Sequence, residues 1–196
     1  MFTERNYLDQ TFNEVVAEEA EFEGIEFEQC SFAHCRFRAA AFRSCTFVNC
    51  AFEVCDLSML RVTGSRFTNA RFGECKLIGI DWTNASALTA LATSMEFRRC
   101  NLDYSFFGKL DLRGIQIIEC EAREVDFTET DLRRASFAGS DLAGAKFART
   151  DLRAANFVGA KHYALDPTKN KVQKARFALP EVVGLLAPFD VVVELG

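Results

Sequence analysis

Eight cysteines and two histidines are the residues of this 196-residue chain most readily tied to chemistry. Thiolates serve as nucleophiles, disulfide partners or soft metal ligands, and imidazoles serve as bases or ligands. The cysteines stand at 30, 35, 45, 50, 55, 75, 100 and 120, with no Cys-x-x-Cys pair among them, so the spacing of metal knuckles and redox motifs is missing. A Gly-rich phosphate loop, a nucleophile elbow and paired buried carboxylates are also missing from the sequence. What the cysteine positions share is that every one is a multiple of five.

That regularity belongs to a larger one. Phe22, Phe27, Phe32, Phe37, Phe42, Phe47, Phe52, Leu57, Val62, Phe67, Phe72, Leu77 and Trp82 follow one another at steps of five, and the same phase returns from Phe97 to Phe157. Of the 20 phenylalanines only Phe106 and Phe189 lie off it. An α-helix repeats at 3.6 residues and a strand at 2.0, so neither accounts for the pattern. A fixed short period is the mark of a solenoid. Two residues before each bulky position sits a slim one, such as Ala40, Cys45, Ser65, Ala135 or Ser140. Short extended pieces separated by tight bends turn both positions inward, one large and one small side chain per face, at the density interiors require. The remaining three positions carry nearly all the charge and face water.

The pattern small-x-large-x-x, as in Ala135-Ser-Phe137-Ala-Gly-Ser140-Asp-Leu142, resembles the pentapeptide-repeat family over roughly residues 12–178. The resemblance implies an all-β fold, a right-handed quadrilateral β-helix with four pentapeptides per coil. Residues 20 apart then stack in neighbouring coils at about 4.8 Å. The interruption after Trp82, the restart Phe97-Arg-Arg-Cys100-Asn-Leu-Asp-Tyr104 and the tail Ala175-Arg-Phe-Ala-Leu-Pro180-Glu are similar to the albicidin-resistance type, relatives of the Qnr and MfpA proteins. Those relatives bind bacterial type II topoisomerases such as DNA gyrase, by resembling duplex DNA in size and charge, and protect them from poisons. The resemblance therefore implies a non-catalytic protein with a topoisomerase partner. A structural interaction module with an unrelated partner is the alternative.

Within the repeat the cysteines take the slim inward position, as small buried apolar residues, and the pairs 30/50, 35/55, 55/75 and 100/120 stack one coil apart. His34 points outward while Cys35 points inward, so they form no catalytic pair. His162 is expected to pack in the last coil. No cofactor, no metal and no enzymatic activity are expected. Reduced thiols suit the cytoplasm. The first 20 residues have neither a basic n-region nor an apolar h-region, and no apolar run approaches a membrane span, so cytoplasmic localisation without membrane contact is expected.

Function then falls to the outward positions. The net charge is −5, from 23 basic and 28 acidic residues, which argues against a generally basic nucleic-acid binder. Residues 1–30 carry nine acids against Arg5, making the first coil an acidic end, while Arg61, Arg66, Arg71 and Lys76 form a basic belt with one charge per side. Asp-Leu-Arg recurs at 111–113, 131–133 and 151–153, stacking as an Asp ladder beside an Arg ladder. This reads either as a DNA-like acid stripe or, preferably, as a self-neutralising network.

The repeat degrades over 83–96, as a poorly filled coil or, preferably, as an excursion from the rod. Candidate partner contacts are Ala85, Leu88, Leu91 and Met95 in that segment, with Asp111, Asp131 and Asp151 on the ladder. The repeat domain is placed at 1–178. A C-terminal cap at 179–196 reads as a short helix from Pro180 and a strand over 190–195. Val182, Val183, Leu185, Leu186 and Phe189 are the candidate homodimer contacts there, an intramolecular cap being the other possibility.

Overall fold

In the computed structural model, which describes residues 2–86 and 95–194, the chain winds as a four-sided parallel β-helix. Each side is a short extended piece centred on the bulky residue of the repeat. Asn6–Leu8, Glu26–Glu28, Thr46–Val48 and Arg66–Thr68 stack in parallel with a step of 20 residues, Tyr7 facing Phe27, Phe27 facing Phe47 and Phe47 facing Phe67. A second side runs from Thr11–Asn13 through Ser31–Ala33, Ala51–Glu53 and Arg71–Gly73 to Glu96–Arg98 and Gln116–Ile118. The other two sides begin at Val16 and at Glu21–Glu23 and continue as single bridges. Below, the sides are named by their first residues: Asn6, Thr11, Val16 and Glu21.

The corners follow from the last residue of the small-x-large-x-x unit, which along most of the described coils adopts the left-handed conformation whether or not it is glycine: His34 has φ 53°, Val54 φ 55° and Gly139 φ 71°. Turning the chain about 90° in so few residues requires this, and each L-residue there carries a strain of about 1–2 kcal/mol. Interior packing offsets it. Rings stack face to face down the Thr11 side, with centroids 5.0, 4.7, 5.0 and 4.9 Å apart from Phe12 through Phe32, Phe52 and Phe72 to Phe97. Burying each bulky side chain contributes about 1.5–3 kcal/mol.

The Val16 side is the slim one, holding Ala17, Leu57, Leu77, Leu102, Ala122 and Leu142 with a single aromatic, Phe37. Its first coil would be hollow at Ala17. Phe2 folds across the open end and fills that place, stacking on Phe37 at 6.2 Å and meeting Tyr7, Phe12, Phe22 and Phe27 edge-on at 5.0–5.7 Å. The N-terminal end of the apolar shaft is thus plugged from within the chain.

Across the interruption the step changes from 20 to 25: Arg71 pairs with Glu96, Lys76 with Asn101 and Asp81 with Phe106. This coil holds five residues more than a four-sided coil needs, which supports the excursion over the poorly filled coil. Trp82–Asn84 make one 3₁₀ turn capped by Asp81, whose carboxylate accepts from the Thr83 amide. Residues 87–94, including Leu88 and Leu91, lie outside the described residues.

At the C-terminus, Asn156 bridges to Arg176 and a 3₁₀ helix, Glu181–Phe189, follows with Pro180 as its cap residue. The strand expected over 190–195 is not formed: residues 191–194 carry no regular structure, and Val191, Val192 and Val193 are exposed. A β-branched run becomes a strand only where a neighbouring edge can pair with it.

Candidate interaction surfaces

The thiols are turned inward and hydrogen-bonded, whereas both histidines face outward. All eight thiols are free and buried. Five form one column along the Val16 side. The Cys35 amide donates to Cys55 Sγ at 3.4 Å, Cys55 to Cys75 at 3.3 Å, Cys75 to Cys100 at 3.4 Å and Cys100 to Cys120 at 3.4 Å. The column closes where the Cys120 amide donates to Ser140 Oγ at 3.0 Å. Each sulfur in turn donates to carbonyl oxygens, Cys75 to those of Phe52 and Gly73. Burial pushes the Cys50 thiol up to about 12. Cys35, Cys75 and Cys120 are likewise raised, by hydrogen bonding to the neighbouring sulfurs and by burial. Such thiols are protonated and poor nucleophiles.

Cys35 Sγ bonds the carbonyls of Phe12 and Ala33 and takes no part with His34, which faces outward beside Glu14, Val16 and Arg36. His162 does not pack in the core as expected. Its side chain is 63% exposed, and Nδ1 lies 2.8 Å from Asp141 Oδ1 on the outside of the Val16 side. Among the described residues no group of three or more His, Cys, Asp or Glu side chains is placed to hold a metal ion. Two buried polar atoms, Trp82 Nε1 and Tyr163 Oη, have no hydrogen-bond partner among the described residues.

The outer walls carry the electrostatics. Arg61, Arg66, Arg71 and Lys76 pair in register with Ala41, Thr46, Ala51 and Asp56, one on each side, so the basic belt circles the rod. Arg61 reaches Glu21 at 3.5 Å.

The aspartate ladder is zipped to its arginines. Arg113 Nη2 lies 2.8 Å from Asp111, Arg133 Nη2 2.6 Å from Asp131 and Arg153 Nη2 2.6 Å from Asp151. Arg113 and Arg133 also reach the next rung at 3.9 Å. The Arg153 guanidinium holds the Asp151 carboxyl below the usual carboxylate range. Counting the outward positions of this half-side, Asp111, Asp131 and Asp151 stand against Arg113, Arg133, Arg134, Arg153, Lys171 and Lys174. The aspartates are neutralised by their own arginines and the surface is net basic, so it is no bare acid stripe.

Asp111, Asp131 and Asp151 continue the Asn6 side, the same side on which the chain passes between Asp81 and Glu96. The ladder therefore lies on the wall where Ser86, whose amide bonds Ser65 O, ends the described part of the chain before the interruption. Of the segment's described candidates, Ala85 is half-buried against the core. Met95 is a correction: it is buried in the slim inward slot two residues before Phe97, so it has no surface to offer a partner.

The C-terminal candidates divide. Val182 and Val183 are half-buried, and Leu185 packs on the end of the core. Leu186 and Phe189 face out, as do Leu179, Val191, Val192 and Val193.

A family model described as a pentapeptide repeat region matches residues 25–107 and 89–157. No curated protein matches the chain by sequence. Among solved structures, a trypsin-treated variant of QnrB1, described as a plasmid-mediated fluoroquinolone resistance protein, is similar with a TM-score of 0.68 and 22% identity, covering 97% of this chain and 95% of that one. HetL, a pentapeptide repeat protein involved in heterocyst differentiation regulation from the cyanobacterium Nostoc sp. strain PCC 7120, overlays with a TM-score of 0.42 and 16% identity, covering 88% of this chain and 87% of that one.

Proposed function

The chain belongs to the pentapeptide-repeat family, and from that premise we propose that it is a non-catalytic binding protein that docks on a type II topoisomerase, DNA gyrase or a relative, and shields it from a quinolone- or albicidin-type poison. The observation that carries this reading is the division of the rod: its eight thiols are buried, so the outer walls are left to act. The choice of partner rests on the likeness to a fluoroquinolone resistance protein along almost the whole chain.

Binding works by shape and surface charge. The wall that continues from Asn6 is the contact, through the 83–96 segment and the ladder of Asp111, Asp131 and Asp151, and the acidic first coil supplies whatever DNA-like charge the rod presents. Residues 1–178 form the repeat domain. The 179–196 tail joins two cytoplasmic copies through Leu186 and Phe189, which are exposed in the single chain. Neither a membrane nor nucleic acid is a partner, and no helix of the described residues is long and apolar enough to cross a membrane.

The experiment is a gyrase supercoiling assay with a fluoroquinolone or albicidin-type poison. Protection or inhibition at micromolar protein is the expected result, and neither one at that concentration removes the reading. A monomer by light scattering would remove the tail-to-tail dimer alone.

A further inference from the structure

Phe106 breaks the rule that places every other phenylalanine of the coils. It stands at an outward position on the Glu21 side, where neighbouring coils carry Asp81, Asp126 and Lys146, and it is 38% exposed. Its ring is held in place. The distal end rests over Gly108, where a Cβ would stand 2.7 Å from Phe106 Cζ, so glycine leaves room for the ring to lie along the wall. Two residues earlier, at the corner, Tyr104 is 67% exposed. One coil before it comes Gly79, and over Gly79 leans the exposed Met59, whose Sδ would be 2.6 Å from a Cβ there. Met59, Gly79, Tyr104 and Phe106 form an apolar strip on the corner between the Val16 and Glu21 sides, with water on the outside.

Carboxylates flank the strip. Phe106 bridges in register to Asp81 on one side and to Asp126 on the other, so its ring lies between two acids in neighbouring coils. Glu124 follows Tyr104 by one coil at the same corner, reaching over Gly144. Among the described residues, none of Asp81, Glu124 and Asp126 forms an ion pair, and Lys146, the next rung after Asp126, makes none either. Asp81 accepts hydrogen bonds from Thr83 and Asn84, and Asp126 accepts one from the Thr128 amide, so both stay charged without a cationic partner. An exposed aromatic face edged by such carboxylates attracts a cation from above, by the ring quadrupole, and from the flanks, by charge. The same acids repel phosphate, which disfavours nucleic acid.

We propose that this corner is a docking surface for a protein segment carrying an arginine or lysine beside an apolar side chain. The cation lies over Phe106 or Tyr104 and pairs with Asp81, Glu124 or Asp126, while the apolar neighbour covers Met59. The surface is distinct from the Asn6 wall and does not depend on a topoisomerase being the partner.

The test is selection of a random-peptide display library on the full chain, counter-selected on a Tyr104→Ser/Phe106→Ser variant. The enriched peptides are then titrated by fluorescence anisotropy. We expect basic-apolar sequences that lose roughly ten-fold in affinity with Phe106→Ser or with Asp81→Asn/Asp126→Asn. Binding should also weaken with salt. Asn at 81 retains the acceptor for the Thr83 amide and gives up the one for Asn84, and all of these positions face outward, so the melting transition of each variant verifies its fold.

Failure to enrich any peptide that distinguishes wild type from the counter-selected variant would overturn the proposal. So would enrichment of acidic peptides, or full binding retained by Phe106→Ser. A change of oligomeric state in Phe106→Ser by sedimentation would make the strip a contact between copies, and oligonucleotide binding lost in Tyr104→Ser would make it a base-stacking platform; either result displaces the basic segment.

Discussion

Before the 25-residue coil cysteine is the commonest residue of the slim inward slots, and after it alanine, serine, threonine and branched aliphatics prevail; the corners differ accordingly. At Cys35, Cys55 and Cys75 the slot amide leaves its own corner and donates to a sulfur in the next coil, and the Cys45 amide donates to Ser65 Oγ at 2.9 Å. At Ala135, Ala145, Ala155 and Ala160 the amide turns back to the carbonyl three residues earlier, at 3.0 Å in each case. What decides is the residue one coil on. A heteroatom there draws the amide across and stitches two coils together, whereas a methyl or aliphatic group leaves it to close its own turn. Thr150 obeys the rule late in the rod, donating to Asn170 Oδ1 at 2.9 Å. Leu110 and Thr130 close their own turns although a threonine follows, and nothing in the structure explains it. The comparison teaches that a buried thiol here is a structural hydrogen-bonding group, since an unpartnered amide inside the shaft would cost about 1–3 kcal/mol.

If the halves differ only at the corner, their cores should fail alike. Phe47, stacked at 5.0 Å on Phe27 and 4.9 Å on Phe67, and Phe137, stacked at 5.0 Å on Phe157, are both fully buried. Phe47→Ala and Phe137→Ala should each lose about 3–5 kcal/mol in urea unfolding. A loss under about 1 kcal/mol at Phe137 would show that the later coils are loosely packed, contrary to the burial.

A smaller effect bears on the corner itself. Cys75→Ala removes the acceptor of the Cys55 amide, which then closes its own turn as the Ala135 amide does, so the lost coil-to-coil hydrogen bond should cost about 0.5–1.5 kcal/mol. Cys75→Ser should recover part of that, because a hydroxyl serves the same office where Ser65 accepts from Cys45. Equal stability of the alanine variant and wild type would dissolve the distinction between the halves. Thiol titration sharpens it without mutation: the native protein should label slowly at all eight cysteines, at the rate of its opening, and rapid labelling would contradict their burial.

The parts of this structure that follow from the five-residue phase were legible, and those set by a missing neighbour were not. Phase placed the phenylalanines and cysteines inside, His34 outside, and the Asp-Leu-Arg triplets in one ladder. It also placed Met95 in an inward slot, two residues before Phe97, so naming it a contact overlooked information the spacing contained. The surplus of five residues could not be read, because an interval of 15 between Trp82 and Phe97 preserves phase whether or not a pentapeptide leaves the coil. Phe2 lies in phase too, but its role depends on the gap at Ala17, and nothing short of three dimensions connects them. His162 was assigned by its place at the end of the repeat, whereas its side chain follows Asp141 outward. Residues 191–194 have the composition of a strand and no edge to join.

The smallest expected effect concerns the corners. Val54 sits at φ 55° with its side chain exposed, so the branched Cβ is strained and little packing is returned for it. A β-branched residue is the least suited to that conformation. Glycine would remove the strain but adds freedom to the unfolded chain worth about 0.5–1 kcal/mol, so Val54→Gly should stabilise by no more than about 1 kcal/mol. Asparagine, which tolerates the left-handed region and already occupies the same corner position at Asn49 and Asn69, should do at least as well because it loses less on folding. Chemical denaturation of both variants measures this. Destabilisation by both would mean that the Val54 side chain contributes packing on the outer wall that outweighs its backbone strain, and the corner would then have to be counted as part of a surface rather than as a bend alone.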